Sequence, residues 1–421
     1  MTNDSVEPRP LPGRFVFATG IECSTPVIAT PEGQLRRDQM AECGHYTHWR
    51  RDLELVGDIG CTHLRYGPPL HRIHLGPGRY DWSFTDEVLP AMRGLDITPI
   101  IDLCHFGVPD WIGDFQNHDW PTYFGEYAAA FAARYPWIRL YTPVNEMYIT
   151  AEFSGYYGWW NERLTTDAGF VGAVANLTLA SAKAMSAILG VRPDALFILA
   201  ESSEFTHANS PALVAEADLF NERRFLTLDL ITGKRISNTM YAYLRDNGMA
   251  EADYRQLRAC DFLEHLIVGH DYYVTNEHLV VAPGIRRASG EVFGYGTVAR
   301  GYHQRYCLPI MHTETNLHDD AAGQAAPAWL WKTWANIQHL RSEAVPIIGM
   351  TWYSLTDQID WDTALREANH RVNPLGLYDL DRNIRPVGRA YQRLIGQWRN
   401  LPLLPYGPLS IIGGMTGDDS R

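Results

Sequence analysis

The stretch "IRLYTPVNEM", residues 138–147, runs apolar for most of its length and ends on Asn145 and Glu146. A short apolar run of this kind is what a strand buried on both faces of a parallel sheet requires, and it leaves two polar groups at the strand's C-terminal end. Pro143 lacks the N–H that a central strand must donate, so it places the strand's end immediately before the Asn-Glu pair. Seven further runs of the same type occur: "FVFATG" (15–20), "THLRYG" (62–67), "ITPIIDL" (97–103), "LFILAES" (196–202), "LIVGHDYYV" (266–274), "LPIMHTE" (308–314) and "PIIGMTWYS" (346–354).

Helical patterns lie between them. Residues 45–60 place Trp49, Leu53, Val56 and Ile59 at helical spacing and stop at Gly60; residues 122–136, 170–189 and 327–344 are also helix-like. Eight alternations predict an α/β chain folded as a (β/α)8 TIM barrel. An open doubly wound sheet is the alternative, but "FATGIEC" after the first strand is not the glycine-rich phosphate loop of such folds. The expected organisation is an N-terminal extension (1–14), one barrel domain (15–400) with enlarged βα loops, and a C-terminal tail (401–421). The longest loop, about 203–264, contains "EADLFNERRFLTLDLITGKRI" (216–236), which reads as two helices, and is taken as an enlarged loop on the barrel and not as a second domain. The Pro/Gly-rich tail is open to two placements, over the barrel or against a second copy of the chain, which keeps a homo-oligomer in view.

Composition narrows the function. The 421 residues are 46% hydrophobic and 20% charged, with a formal charge of −13, which argues against a nucleic-acid partner. The six cysteines form no C-x-x-C and fit free thiols in a reducing compartment, so a cytoplasmic location is expected. No basic and apolar leader is visible at the N-terminus, and no apolar run looks long enough to span a bilayer, so no membrane partner is expected. Sixteen histidines raise a metal-dependent hydrolase, and His45/His48 and His71/His74 are i,i+3 pairs, but there is no H-E-x-x-H. No metal and no cofactor are expected.

In such barrels the working residues sit where strands end and the following loops begin. That rule nominates Arg65, His105, Asn145, Glu146, Tyr272 or Tyr273, Glu314, Trp352, Asp357, Asp360 and Trp361. Tyr272 and Tyr273 are adjacent in a strand, so only one can face the barrel axis. Two glutamates at separate strand ends, facing each other across a narrow mouth, are what glycoside hydrolysis needs: one protonated to assist the leaving oxygen, the other ionised to attack the anomeric carbon. A nearby arginine would keep the second ionised.

The motifs resemble glycoside hydrolase family 1, the β-glucosidase family. "HYTHWRRDLELVGDIGCTHLRYG" resembles its H-Y-H-R-Y-x-E-D helix and Y-R-F-S strand; "CHFGVPDWI" resembles Y-H-W-D-L-P-Q-W; "TPVNEM" resembles T-x-N-E-P. "HDYYV" is similar to N-Y-Y-T, "HTETN" to I-T-E-N-G, and "TWYSLTDQIDW" to W-S-L-L-D-N-F-E-W. "NPLGLYDLDRNIRPVGRAY" resembles F-G-L-x-Y-V-D with its following Arg-Pro. The matches keep their order over about residues 15–396. The resemblance implies a retaining β-glycosidase acting on a small β-linked glycoside. It implies Glu146 as acid/base, Glu314 as nucleophile, Arg65 and Tyr273 as its hydrogen-bond donors, and Asn145 at the sugar 2-hydroxyl. His105, Trp352, Asp360 and Trp361 would contact the sugar. Departures include Met147 after the acid/base, Thr315-Asn316 after the nucleophile, Phe106 after His105 and Asp360 for a glutamate. "ATGIECSTPVI" stands where the family has a sugar-binding glutamine, and Glu22 is the nearest polar candidate. Two other readings remain open: a transglycosidase with the same pair, and a non-catalytic sugar-binding barrel.

Overall fold

A computed structural model describes residues 13–404. Eight strands form one closed, all-parallel barrel: β1 (Val16–Gly20), β2 (His63–Tyr66), β3 (Thr98–Asp102), β4 (Leu140–Thr142), β5 (Leu196–Ser202), β6 (Leu266–Asp271), β7 (Ile310–Glu314) and β8 (Ile347–Trp352). Each pairs with its sequence neighbour, and β1 closes the ring on both β2 and β8. All eight expected runs are the eight barrel strands. Their residues are buried almost without exception, because helices cover the outside and side chains fill the inside.

The helices follow the sequence pattern. His45–Ile59 buries Trp49, Leu53, Val56 and Ile59, and Gly60 ends it in the left-handed conformation that a C-terminal cap uses. Pro386 starts the last helix, Pro386–Trp398, at a position where no N–H is needed. From that helix the Tyr391 hydroxyl sits between the carbonyls of Ala18 (2.9 Å) and Met350 (3.2 Å), fastening β1 to β8 at the closure of the ring.

One expectation is corrected. Asp167–Val191 is a 25-residue helix with a mean hydropathy of 1.4 over its most apolar window, so one segment is long and apolar enough to cross a membrane. Of that window, 67% is buried against the protein, chiefly on helix Trp120–Arg134, where Lys183 donates to Thr122 (2.9 Å); it is a core helix of the barrel. The long loop holds the two helices expected within residues 216–236 and two more beyond them. It contains a strand, Phe205–Ala208, and helices Val214–Arg223, Leu226–Ile231, Asn238–Asp246 and Glu251–Arg258. The strand pairs with Glu277–Ala282, which pairs with Ile285–Ala288, forming a three-stranded sheet from two different βα loops. Leu226, Leu228, Leu230 and Ile231 are fully buried in the same core as the barrel, so the loop is an elaboration of it and not a second domain.

The two ends of the described chain meet. Phe15 N–H donates to Leu401 (2.8 Å) and Leu403 N–H to Gly13 (3.0 Å). Most of the expected N-terminal extension and C-terminal tail, residues 1–12 and 405–421, lies outside the described residues, and with it the expected packing of the tail. All six cysteines are unpaired, four of them buried.

Two glycines test the packing. A Cβ on Gly269 in β6 would stand 2.7 Å from the Ala200 Cα and 2.8 Å from the Thr313 hydroxyl, whereas one on helical Gly57 would meet nothing within 4 Å. Gly269→Ala is expected to destabilise the fold by about 1–3 kcal/mol through overpacking. Gly57→Ala is expected to stabilise it by roughly 0.5–1 kcal/mol through helix propensity. Urea denaturation midpoints of the two variants check both signs.

Candidate active site

β4 stops at Thr142, directly before Pro143. The chain is then pinned between its neighbours: Asn145 N–H donates to the Cys104 carbonyl beyond β3, and Glu146 N–H to Ala200 in β5, both at 2.9 Å. Glu146 holds a φ of +39°, in the left-handed region that a side chain with a Cβ rarely adopts. Its carbonyl accepts from Thr150, starting the short helix Met147–Ala151. Met147 is fully buried and does not line the cavity.

Glu314 ends β7 and is 4% exposed, within reach of the cavity. The Arg65 guanidinium donates to its Oε1, and the Tyr273 hydroxyl donates to Oε2 at 2.6 Å. Tyr272 faces the other way and donates to Glu277 (2.8 Å), so alternation selects Tyr273. Arg65 also donates to Asp102 Oδ2 (3.0 Å) and to the Asn145 side-chain oxygen. Asp102 receives His105 Nδ1 at 2.7 Å, and His105 Nε2 faces Asn145 Nδ2 at 3.2 Å. Arg65 takes the Asn145 oxygen, and His105 Nδ1 donates to Asp102. Burial would lower the His105 imidazole, but Cys23 and Asp102 outweigh it and hold it well above its usual range.

Burial drives the Glu146 carboxyl well above the usual range, and the negative charges of Asp271, Glu314 and Glu201 push it further; His105 opposes them. Glu201, behind it at the end of β5, is itself lifted by burial to about 7.

These groups open into one cavity of about 790 Å³. Glu146, Glu314, His105, Tyr273, Glu22 and Trp361 line it, while Arg65 and Asn145 stand behind and hold them. Glu22 sits two residues past β1; it accepts from Ser24 N–H (2.9 Å), from the Ser24 hydroxyl, and from the Gln358 amide (2.8 Å).

Asn145, placed by the resemblance at the sugar 2-hydroxyl, is fully buried and does not line the cavity, and two further expected sugar contacts do not reach it either. Trp352 is fully buried, with its indole N–H on the Leu375 carbonyl (2.9 Å); the next residue, Tyr353, lines the cavity instead. One step along a strand reverses the face, and the alignment to the family's tryptophan is displaced by that step. Asp360 is also buried: its carboxylate accepts from Arg37 (2.9 Å) and from the backbone N–H groups of His370 (2.9 Å) and Arg371 (2.7 Å), which leaves it facing protein and not the cavity.

Several site residues escaped the strand-end reading. Asp102 is the last residue of β3, and the rule that nominated His105 applies to it equally. Gln358 and Tyr353 needed register. The outer cavity needed the loops: Phe153, Tyr156, Tyr157, Trp159 and Trp160 form an aromatic wall, and Arg286, Glu152, Glu204 and His278 form a charged one. Arg286 there joins Glu152 (2.8 Å) to Glu204 (3.3 Å). Burial alone would raise Glu204, but the charges of His278 and Arg286 outweigh it and bring it down to about 2.

Cys23, Asp102 and His105 bring three potential metal-ligand atoms within 4.8 Å of one another. The Asp102 oxygen there already accepts from both His105 and Arg65, and a cation would have to sit against the guanidinium. The trio is better matched to hydrogen bonding than to a metal. His45, considered as a ligand from sequence, bonds Asp52 (2.8 Å) and Tyr66 (3.3 Å) away from the cavity.

The arrangement pairs a carboxyl that keeps its proton with a carboxylate held by a guanidinium and a phenol, across one cavity. That is the equipment for acid-assisted displacement at a carbon carrying a leaving oxygen. In comparisons with known proteins, the 1,4-beta-D-glucan glucohydrolase of Thermotoga neapolitana is 25% identical over 124 residues, 28% of this chain and 29% of that protein. A putative myrosinase 3 of Arabidopsis thaliana is 26% identical over 122 residues, 27% of each chain. The aligned part thus spans under a third of the curated relatives' length. Among solved structures, the family 1 β-glucosidase of Thermotoga maritima superposes over 92% of this chain and 98% of its own, with a TM-score of 0.76 and 17% identity. The same enzyme in complex with glucoimidazole gives 0.77 at 16% identity over 92% and 99% of the two chains. These structures share the fold. The sequence model of glycosyl hydrolase family 1 matches residues 29–263, more than half of the chain, and the protein belongs to that family.

Proposed function

We propose that this protein is a retaining β-glycosidase that hydrolyses small β-linked glycosides in a reducing, cytoplasmic compartment. The observation that carries the reading is the unequal treatment of two glutamates at one cavity. Glu314 receives two strong donors, Arg65 and Tyr273, while Glu146 is buried among negative charges. In the first step the Glu314 carboxylate attacks the anomeric carbon, the glycosidic C–O bond breaks, and Glu146 gives its proton to the departing oxygen. In the second, Glu146 takes a proton from water, which attacks the glycosyl ester and releases Glu314. Asn145, bonded to both Arg65 and His105, stands behind the nucleophile and holds these two side chains in place.

The relatives named glucohydrolase, myrosinase and β-glucosidase support a β-glycoside as substrate class. The inner end of the cavity is read by Glu22, Gln358, Tyr353 and Trp361, with Asp360 withdrawn, so the preferred sugar is to be found with a panel of aryl β-glycosides and is not assumed to be glucose. The aromatic outer wall suits a flat leaving group.

Glu314→Gly is expected to cut turnover of the best aryl β-glycoside by more than about 1000-fold. Added azide should restore cleavage and yield the α-glycosyl azide. Unchanged activity, or a β-azide, would remove Glu314 from the nucleophile role.

The pH profile follows from the raised Glu146. Its acid form is the active one, so kcat/KM should hold at pH values below its raised pKa and fall as the pH climbs through it. Glu146→Gln is expected to abolish this alkaline limb and to slow substrates with poor leaving groups by roughly 10²–10⁴-fold. Proton NMR of the first-formed product should show retained β-configuration.

A further inference from the structure

Asp271 is the last residue of β6 and stands in register with Glu314 on β7 and Ser202 on β5. Alternation along β6 settles its direction. His270 packs outward against Tyr295 and Tyr302, and Tyr272 packs outward against Tyr295 and Trp329. Asp271, like Tyr273, therefore faces the barrel axis. It is fully buried, and neither carboxylate oxygen has a hydrogen-bond partner of good geometry; the Thr313 hydroxyl is the nearest relief. In "HDYYV" it stands where the N-Y-Y-T pattern has an amide, so this chain carries a third carboxyl in the catalytic ring.

An unpaired buried carboxyl is costly unless it stays neutral or serves a purpose. The groups around it are unequal. Glu314 already commands Arg65 and Tyr273, and Asp102 shares the same guanidinium, so Arg65 and His105 relieve Asp271 only in part, and burial with the charge of Glu314 keeps its carboxyl well above the usual range. The groups facing Glu146 are Asp271 from β6, Glu314 from β7, Glu201 from β5 and His105 from the loop after β3; Asp271 acts on it more strongly than the other two acids. Those facing Asp271 are Glu314, Arg65 and His105.

We propose that Asp271 is a positioning residue for the acid/base: an inward carboxyl, without a counter-ion of its own, that holds Glu146 in its proton-donating form. The proposal rests on Glu146 being the acid. It gives the third carboxyl a task that an asparagine, which carries no charge, cannot perform. Between them the three acids Glu314, Glu146 and Asp271 have one good charge partner, Arg65, so ionising a second of them is opposed by the first, and ionising both Glu146 and Asp271 is opposed most.

The test is Asp271→Asn, which keeps the shape and removes the charge. With an aryl β-glycoside of poor leaving ability, the alkaline limb of kcat/KM should move down by about one pH unit or more, while the rate on the acid side changes little. A variant folded as well as the wild type whose limb is unmoved, or moved upward, overturns the proposal. A merely structural asparagine effect would scale all rates and leave the limb in place. Should the variant turn over too slowly to profile, carboxyl 13C NMR of glutamate-labelled protein, with Glu146 assigned by Glu146→Gln, reads the same titration directly. Loss of the limb in Glu146→Gln alongside an unmoved limb in Asp271→Asn sinks the proposal alone. Retention of the limb in Glu146→Gln sinks the acid/base assignment and the proposal with it.

Discussion

One guanidinium organises this site. Arg65 is 1% exposed and donates to Glu314, Asp102 and Asn145, which come from three different strand ends. Burying that charge is costly unless it is fully paired, and the planar fork of an arginine can meet several acceptors at fixed angles. Every other feature hangs from it. Glu314 is fixed at the cavity because the guanidinium donates to it. Asp102 orients His105 because one of its oxygens is held in place. Asn145 turns its amide NH2 toward His105 because Arg65 occupies its oxygen. Glu146, reached by no cation except the distant influence of His105, is left as the group that keeps a proton.

The closed barrel makes this sharing possible. β2, β3 and β4 are neighbours and β7 lies apart from them around the ring, yet their C-terminal ends converge on the axis. A side chain as long as arginine on β2 can span to β7 across that axis. The cost is crowding, and Gly269 shows it: no room for a Cβ is left between β5 and β7 at that level. The same crowding places Asp271 where a fourth acidic group, besides Asp102, Glu146 and Glu314, meets a limited supply of positive charge.

Much of this was legible in the residues. Strands buried on both faces must be apolar throughout, so all eight stood out as runs. The strand-end rule then found Arg65, His105, Asn145, Glu146, Tyr273 and Glu314, because chemistry in such a barrel is confined to those ends. What failed was register and long-range pairing. Trp352 and Tyr353 are adjacent aromatics on opposite faces, and no composition signal chooses between them. Asp360 looked like a sugar contact because the letters that satisfy it, Arg37 and the backbone of His370 and Arg371, lie far away or carry no side-chain signal. The sheet over the cavity joins residues 205–208 to residues 277–288, a pairing set by tertiary contacts and not by local pattern.

This division explains why the reaction can be read more readily than the substrate. The reaction needs fixed charges, and fixed charges come from strand ends that the fold itself dictates. The sugar is read by groups set on loops. At Glu22 all contacts are donations to the carboxyl, from Ser24 and Gln358, so in its ionised form, which burial disfavours, its remaining lone pairs can only accept from a ligand. An amide in that place could both donate and accept. A hydroxyl meeting Glu22 must therefore point its hydrogen at the protein, and a sugar position offering only an acceptor is left unpaired there. Since an unpaired buried polar group costs about 1–3 kcal/mol, this one carboxyl can discriminate between sugars by tenfold or more without touching the catalytic pair.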